Sequence, residues 1–282
     1  MKNFTSKEVS KEITIIDIDE TSLSAIGQWP WPRYRLANLV KVTHEMKPKT
    51  IGIDIFFPEP DRTSLKNIQK QFKNDFDLNL GFTGVPSSLS DNDDYLAHIL
   101  KTNNVVGARF FYFDHFNREE SCKFNPFNII DQSELLTLHK ATGVLCNTFQ
   151  IENSLKVTGF TNNQHDNDGI IRKTPLLLEF NGGIYTHLSL SIFLKAEGIK
   201  QAKVLKNQYG LYIKTGQYHI PVTKEGYVRM RFNGPARRYK YISALNILNG
   251  NFSPADIRNK IVLIGSSAVG LNDVHHTIYD TQ

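Results

Sequence analysis

The chain lacks any apolar run of the roughly 20 residues that a membrane-spanning helix requires. Its longest apolar runs, residues 51–57 and 261–264, are interrupted by Asp54 or followed by Gly265. The N-terminal residues, MKNFTSKEVSKE, also lack the basic and then apolar pattern of a signal peptide. We therefore predict a soluble chain, and its abrupt start and end lead us to expect a piece excised from a longer protein.

Cysteine is nearly absent as well. Cys122 and Cys146 are separated by 24 residues and form no C-x-x-C motif, which excludes a cysteine-based zinc site. A single disulfide between them is possible. We favour the alternative, two unpaired cysteines that act as small core residues.

A strong excess of basic charge is absent too, because 33 Lys and Arg face 28 Asp and Glu, a formal net charge of +5. Basic and aromatic residues do alternate over residues 224–241, as in some nucleic-acid-binding surfaces. However, Val228 and Met230 alternate with Arg229 and Arg231, which indicates a strand with one solvated face. We expect no nucleic-acid partner.

The apolar pattern predicts an α/β fold. Residues 11–19 and 50–57 are typical of buried strands, and residues 33–47 between them have helical spacing, so they predict a βαβ crossover. A second helix and strand follow at 93–101 and 104–113, and residues 260–264 form a last buried strand. We predict a largely parallel central sheet flanked by helices, with an antiparallel β meander inserted before the last strand.

The remaining segments give smaller elements. We predict one domain over residues 1–282, with a polar insertion at 61–92 that is an excursion from the core, and the β meander within 200–235. The Asn-Gly-Gly of residues 181–183 indicates a hairpin, and Ser243 caps a short helix that Gly250 ends. The other predicted elements are helices at 131–140 and 189–197, short strands at 143–148 and 156–161, and meander strands at 211–214, 218–222 and 227–232.

Three carboxylates are unusual in their surroundings. Asp17, Asp19 and Asp54 lie in or next to apolar strands, where an unpaired buried charge is costly. We predict that Asp17 and Asp54 are buried and hydrogen-bonded, with Arg33 or Arg35 close to one of them. The alternative is a site of oxygen ligands for a cation such as Mg²⁺, which would support a metal-dependent hydrolase.

A stretch rich in tryptophan and proline, WPWPR at residues 29–33, follows the first strand. Two indoles held by two prolines form a rigid loop, which is either a ligand wall or subunit contact, or a lid over the sheet edge. Residues 265–270 follow the last strand, where backbone N–H groups favour a tight turn and could also cradle an anion. They match neither the dinucleotide-binding glycine motif nor the P-loop.

Open parallel sheets bind ligands at the carboxyl ends of their strands. If the chain binds a small molecule, we expect the site there, and a polar or zwitterionic ligand rather than a lipid. His275 and His276 are expected in a solvated loop. The candidate ligand-binding residues are Asp19, Trp29, Trp31, Arg33, Glu59, Asp61, Ser266, Ser267 and Asp273.

The order of motifs resembles the CHASE2 domain, an extracytoplasmic sensory module of bacterial transmembrane receptors. The resemblance spans about residues 13–280. It departs from the family at Ile278, where proline is usual, and in the length of the 61–92 insertion. The motifs are IIDIDETSLSAIGQWPWPRYRLANLV (15–40), IGIDIFFPEPD (51–61), DDYLAHILKTNNVV (93–106), DNDGIIRKTPLLL (166–178), the 242–250 helix, and KIVLIGSSAVGLNDVHHT (260–277).

This resemblance implies a signal-sensing, ligand-binding domain without catalytic residues or a cofactor. It implies one membrane helix before the chain and at least one after it, together with a cytoplasmic output domain such as a nucleotide cyclase or a histidine kinase. We expect a periplasmic location, an unidentified small-molecule signal and a homodimer. The rival hypotheses are the metal-dependent hydrolase and a dimerisation module that binds no ligand.

Overall fold

A central sheet of seven strands organises the computed structural model, which describes residues 9–114, 122, 126–163, 166, 168–232, 234 and 237–268. Its strands are β1 (Ile13–Asp17), β2 (Thr50–Ile53), β3 (Val105–Tyr112), β5 (Gly143–Leu145), β6 (Thr158–Phe160), β14 (Lys240–Ser243) and β15 (Ile261–Gly265). The other strands are β4 (Asn128–Asp131), β7 (Lys173–Pro175), β8 (Leu177–Phe180), β9 (Gly183–Thr186), β10 (Gln201–Asn207), β11 (Gly210–Thr215), β12 (Tyr218–Val222) and β13 (Tyr227–Arg229).

Seven α-helices lie among the described residues. They are α1 (Glu20–Ile26), α2 (Arg33–Glu45), α3 (Leu65–Phe76), α4 (Asn92–Thr102), α5 (Phe149–Ser154), α6 (Leu188–Ala196) and α7 (Ala244–Leu248). Short 3₁₀ helices occupy Ser87–Leu89 and Pro254–Asp256.

The central sheet is mostly parallel. Its strands pair in the order β14-β1-β15-β2-β3, and both β5 and β6 pair with β3; only the β3–β5 pairing is antiparallel. The last strand, β15, lies between β1 and β2 and is hydrogen-bonded to both. This confirms the predicted fold class and the expectation that the final strand joins the sheet of the first two.

The two faces of the sheet are covered differently. On one face, Ile16, Ile53 and Ile264 pack in a large core with buried residues of α2 and α4 such as Leu39 and Leu96. This core also contains Ala244 and Ile247 of α7 and Ile151 of α5, so five helix segments, α1 included, cover that face. Burial on both sides explains why these strands are apolar runs without alternation.

Helix α6 covers the other face. Its Leu188 and Ile192 pack with Val106 and Ala108 of β3, while its Leu190 and Leu194 pack with Val204 and Ile213 of a second sheet. This second sheet has the order β12-β11-β10-β4. Helix α6 is therefore held between two sheets, which fixes the position of its N-terminus.

The predicted meander is confirmed for β11 and β12 and differs in its third strand. β10 completes the antiparallel set, whereas β13 pairs with β7 in a separate two-stranded sheet. The signal for β10 was present, since buried Ala202 and Val204 flank Lys203. The parallel edge strand β14 was also missed, because its lysine and tyrosine were assigned to the basic run.

The helix predicted at 131–140 is wrong. Only Asn128–Asp131 is regular, and it forms β4. The Asp131 carboxylate accepts hydrogen bonds from the backbone N–H groups of Ser133 and Leu136, and Glu134 has a positive φ of 54°. Aspartate side chains that bond to nearby backbone groups in this way favour turns over helices.

The 61–92 segment, which was predicted as a polar insertion, contributes no residue to the hydrophobic core clusters of the described residues, and it is not only loop. Helix α3 forms within it although none of its residues is buried. The helix ends at Asp77, which adopts a left-handed conformation and accepts a hydrogen bond from Lys73 one turn earlier. Local pairs of this kind support a solvated helix.

The favoured interpretation of the cysteines is also wrong. Cys122 and Cys146 form a disulfide, with their Cα atoms 5.5 Å apart. The bond packs beside a cluster that contains the aromatic rings of Phe111, Phe160 and Phe180. Their spacing in the sequence did not distinguish a disulfide from two unpaired cysteines.

Candidate functional site

A cleft of about 310 Å³ opens at the carboxyl edge of the central sheet, between the ends of β1, β2 and β15 and the N-terminus of α6. This is the edge at which parallel sheets bind ligands. The volume is at the lower end of the usual range for small-molecule sites. The cleft is lined by Ile15, Asp17, Gly52, Asp54, Thr161, Asn163, His187, Leu188, Ser189, Ile192, Tyr241, Leu263, Ile264, Gly265, Ser266 and Ser267.

Strand register places two carboxylates on either side of a glycine. Asp17 pairs with Gly265, and Asp54 follows directly after Ile53, which pairs with Ile264. A Cβ atom added to Gly265 would lie 3.9 Å from the Cβ of Asp54, an ordinary contact distance. As far as the described residues show, the missing side chain of Gly265 therefore leaves space between the two carboxylates.

An apolar row lies one step back along the same strands. Ile15, Leu263 and Gly52 are in register on β1, β15 and β2. A Cβ atom at Gly52 would lie 2.1 Å from Cδ1 of Ile192, so any other residue here would force the Ile192 side chain of α6 to move. The cleft thus has an apolar floor and a charged rim.

Asp17 is buried and hydrogen-bonded, as predicted. Its side chain accepts hydrogen bonds from the backbone N–H of Ser267, at 2.9 Å, and from the hydroxyl of Ser267, at 2.6 Å. Burial and the neighbouring Asp17 carboxylate raise the pKa of Tyr241, which also lines the cleft. Ser266 donates to the carbonyl oxygen of Ile18, at 2.8 Å.

The prediction that Asp54 is buried is wrong. The residue is exposed, since it lies one position beyond the end of β2, where the sheet opens to the cleft. Arg33 does not approach Asp17 or Asp54 either: its described partners are Asp61, Asp93 and the carbonyl oxygen of Glu59.

His187 is a cleft residue that the sequence analysis missed. It precedes α6, and its Nδ1 accepts a hydrogen bond from the backbone N–H of Ser189, at 3.2 Å. Burial lowers the pKa of His187 to about 4, so the imidazole is neutral at neutral pH and its proton lies on Nε2. Nε2 is buried without a hydrogen-bond partner among the described residues.

Asp19 has a structural position outside the cleft. It is the N-cap of α1, and it accepts hydrogen bonds from the backbone N–H and hydroxyl of Ser22 and from the hydroxyl of Ser243. Burial opposes ionisation, but these hydrogen bonds outweigh it and lower the pKa of Asp19. Its oxygens are thus used to begin a helix and join it to β14.

Arg33, Asp61 and Asp93 form a buried polar network on the α2 and α4 side. Asp61 accepts from the backbone N–H of Arg33, at 2.7 Å, and Nε of Arg33 lies 3.5 Å from Asp93. Asn92 donates to Asp61, and the Arg33 guanidinium lies over the ring of Phe57. The network joins the loop after β2 to the starts of α2 and α4.

The two indoles belong to this same side. Trp31 is buried and donates its indole N–H to the carbonyl oxygen of Gly27, at 2.7 Å, and Trp29 packs against it. Glu59 is exposed and pairs with Arg62. The structure therefore does not bring the candidate residues into one site: Ser266 and Ser267 line the cleft, whereas the WPWPR stretch fits the lid interpretation.

The remaining candidate residues are not among the described residues of the cleft or of the buried polar network. Asp273, His275 and His276 lie outside the described residues. No group of three or more His, Cys, Asp or Glu among the residues that the structure describes is placed to hold a metal ion.

The model of one protein family, the CHASE2 domain, matches residues 1–281 of the chain. The chain belongs to the CHASE2 domain family. No curated protein and no solved structure matches it. CHASE2 domains are extracytoplasmic sensory domains and not a catalytic family, so this chain has an extracytoplasmic sensory role.

Two structural observations bear on that assignment. Across the described part of the chain, no helix is long and apolar enough to cross a membrane. The Cys122–Cys146 disulfide is of the kind that persists in oxidising compartments such as the periplasm. Its presence agrees with a CHASE2 domain outside the cytoplasm.

Asp17 is buried and Asp54 is exposed, so removal of each carboxylate should change the free energy of unfolding by a different amount. We expect Asp17→Ala to lower the free energy of unfolding by about 1–3 kcal/mol, since it removes a buried carboxylate and the two hydrogen bonds that Ser267 donates to it. Asp54→Ala should change it by about 0.5 kcal/mol or less, as for most surface substitutions. Urea unfolding of both variants measures the difference; equal losses would contradict the assigned burial.

Proposed function

We propose that this CHASE2 domain is the ligand-binding part of a transmembrane receptor and that the cleft is its ligand site. The observation that carries the proposal is the cleft itself, an apolar floor with charged and polar groups at the carboxyl edge of a parallel sheet. The ligand would be a small polar molecule, since the cleft is small and two carboxylates stand at its rim.

The position of α6 supports a route for the signal. A ligand in the cleft would contact the ends of β1, β2 and β15 on one side and the start of α6 on the other. Because α6 also packs on the second sheet, a shift of its N-terminus would be transmitted to that sheet. Signalling by this route requires two positions of α6, and a ligand shifts their populations only if it binds them with different affinity.

The parent protein would convert this shift into a cytoplasmic signal. We propose membrane helices that flank the chain, a homodimer of the receptor, and a nucleotide cyclase or a kinase as the output domain. The rival account is a dimerisation module that binds no ligand. The two accounts differ in whether output depends on the open space between Asp17 and Asp54.

Substitution of Gly265 tests this dependence in the parent receptor. Valine at Gly265 fills the space between the carboxylates, while the contact distance there predicts that the fold tolerates the added Cβ. The probe is the fraction of conditioned growth medium that contains molecules below about 1 kDa. This mass limit is well above the mass of a ligand that a cleft of this size can hold. We expect wild-type output to follow the dilution of this fraction, and Gly265→Val to require about tenfold more or to stop responding.

Gly81→Val is the matched control. Gly81 is exposed, nothing lies within 4 Å of an added Cβ, and its φ is not positive. This variant should respond as the wild type does. A full response from Gly265→Val, or no response from the wild type, would contradict ligand sensing through the cleft and favour the dimerisation module.

A further inference from the structure

Exposed apolar side chains concentrate on α3 and on the residues that follow it. Of the twelve large apolar side chains that are exposed in the described part of the chain, six lie between residues 72 and 89. These six, which we call the α3 patch, are Phe72, Phe76, Leu78, Phe82, Val85 and Leu89. Single exposed apolar residues are ordinary on a protein surface, whereas a group of this size marks an interaction surface.

The six side chains belong to one surface because the chain folds back along α3. The side chain of Gln69 donates a hydrogen bond to the carbonyl oxygen of Leu80, at 2.9 Å. The backbone N–H of Lys66 donates to the carbonyl oxygen of Ser90, at 3.1 Å. Residues 80–90 therefore return beside the first turns of the helix, and their apolar side chains lie next to those of α3.

Helix α3 has an apolar face that the described part of the chain covers only in part. Leu65, Ile68, Phe72 and Phe76 have the spacing of one face of an amphipathic helix. The first two are half-buried and the two phenylalanines are exposed, with their ring centroids 5.5 Å apart. Because a helix of 12 residues is marginal in water by itself, its stability depends on what packs against this face.

The size of the α3 patch fits an interface with another protein surface. The six residues are 38–65% exposed, so they present about 500 Å² in total if a whole phenylalanine has about 200 Å². This area is near the upper end of what a monomer leaves exposed. With a polar rim around it, the patch approaches the roughly 800 Å² that each partner buries in a standard interface.

The charges around the patch favour a second copy of this chain as the partner. Helix α3 carries Lys66, Lys70 and Lys73, and Asp75 and Asp77 lie at its C-terminal end. In a two-fold interface the same surface meets itself. A rim of one sign would repel its own copy, whereas a rim with both signs can pair with it.

A membrane surface fits the α3 patch less well. Phe76 is the most exposed of the six side chains, at 65%, and Asp75 and Asp77 are its neighbours in the sequence. A ring that enters the headgroup boundary would bring both carboxylates toward the lipids. Anionic lipids attract Lys and Arg and therefore repel these two groups.

We propose that the α3 patch is the surface through which two copies of this chain pack about a two-fold axis. Phe72 and Phe76 are its aromatic anchors, the residue type that is enriched at the cores of such interfaces. This inference rests on the homodimer in the proposed function, for which it names the contact surface, and it does not involve the cleft.

Sedimentation equilibrium of the purified chain tests the proposal. We expect a monomer–dimer equilibrium with a Kd of about 1–100 µM, since interfaces of larger area have micromolar or tighter affinity. A Phe72→Ser, Phe76→Ser double variant should raise this Kd by about tenfold or more. Phe149→Ser is the matched control, because Phe149 is 81% exposed and lies outside the patch, and its Kd should equal that of the wild type. Thermal melts check that each variant folds.

Two further measurements locate the contact. Hydrogen exchange of residues 65–89 should slow as the concentration of the chain rises through the Kd, and exchange at the 207–210 turn should not change. Asp75→Lys makes the rim predominantly basic, so it should raise the Kd by about threefold or more through repulsion between the copies.

The outcomes distinguish the partners. A chain that stays monomeric up to about 1 mM, or a dimer that Phe72→Ser, Phe76→Ser leaves unchanged, would overturn the proposal. A monomer that sediments with vesicles of phosphatidylglycerol and phosphatidylethanolamine, and does so more strongly with Asp75→Lys, would assign the patch to a membrane instead. None of these results bears on the cleft, because the receptor assay with Gly265→Val decides ligand sensing separately.

Discussion

Glu152→Gln lowers the free energy of unfolding by about 3–5 kcal/mol, the expected cost of removing one partner from a buried ion pair. Glu152 and Arg109 are 4% and 2% exposed, and Arg109 donates a hydrogen bond to Oε1 of Glu152. Oε2 of Glu152 accepts from the backbone N–H and the side chain of Asn147, and Asn147 accepts from the N–H of Phe57. One carboxylate therefore joins α5 and β3 to the segment after β2.

Urea unfolding of Glu152→Gln measures this cost, and Glu59→Gln is the matched control. Glu59 is exposed and pairs with exposed Arg62, so its loss should cost about 0–1 kcal/mol. An Arg109→Met, Glu152→Leu double variant should regain part of the stability, because no charge is then left buried while the donors of Asn147 still lose their acceptor. Equal costs for the two Glu→Gln variants would show that the pair contributes as little as a surface one.

Loss of the Cys122–Cys146 disulfide is the second large effect that we expect. The bond links cysteines separated by 24 residues, and a loop of that size corresponds to about 3 kcal/mol of stability, mainly from the entropy of the unfolded chain. We expect the free energy of unfolding of a Cys122→Ser, Cys146→Ser double variant to be lower by this amount. The variant should therefore unfold at a lower urea concentration than the wild type.

The wild-type chain in the presence of a reductant provides the control for this prediction. Its unfolding midpoint should fall to that of the double variant, and the double variant should not respond to the reductant. A wild-type midpoint that the reductant leaves unchanged would contradict a disulfide that stabilises this fold.

The central strands were predictable because burial on both faces leaves a simple pattern. Residues 50–57 and 260–264 are apolar without alternation, and they form β2 and β15 of the parallel sheet. The turn at 132–140 was mistaken for a helix because bonds from the Asp131 side chain to nearby backbone groups are invisible to apolar periodicity. The strand order, with β15 between β1 and β2, also required the three-dimensional structure.

The candidate site was predicted in part. The sequence analysis placed a ligand site at the carboxyl edge and named Ser266 and Ser267 among its residues, whereas it assigned Asp17 and Asp54 a structural role; all four line the cleft. The sequence could not show which face of the sheet each loop covers, so Trp31 and Asp61 were grouped with them although they pack with α2 and α4.

The sequence alone did not identify His187 and Tyr241 as candidate site residues. Neither belongs to a motif with recognisable chemistry, and both reach the cleft only because α6 and β14 pack beside the ends of β1 and β15. Burial of Asp17 but not of Asp54 has a similar origin. Ser267, which follows β15, covers Asp17, whereas Asp54 extends beyond the last paired residue of β2.

The small molecules that the chain retains on purification test most directly whether the cleft is the ligand site. Wild-type, Gly81→Val and Gly265→Val chains would be secreted to the periplasm, purified alike, denatured, and their released small molecules identified by mass spectrometry. We expect the same small molecule with the wild type and Gly81→Val, and its absence from Gly265→Val. Equal retention by all three chains, or no compound with any of them, would contradict a ligand site in the cleft.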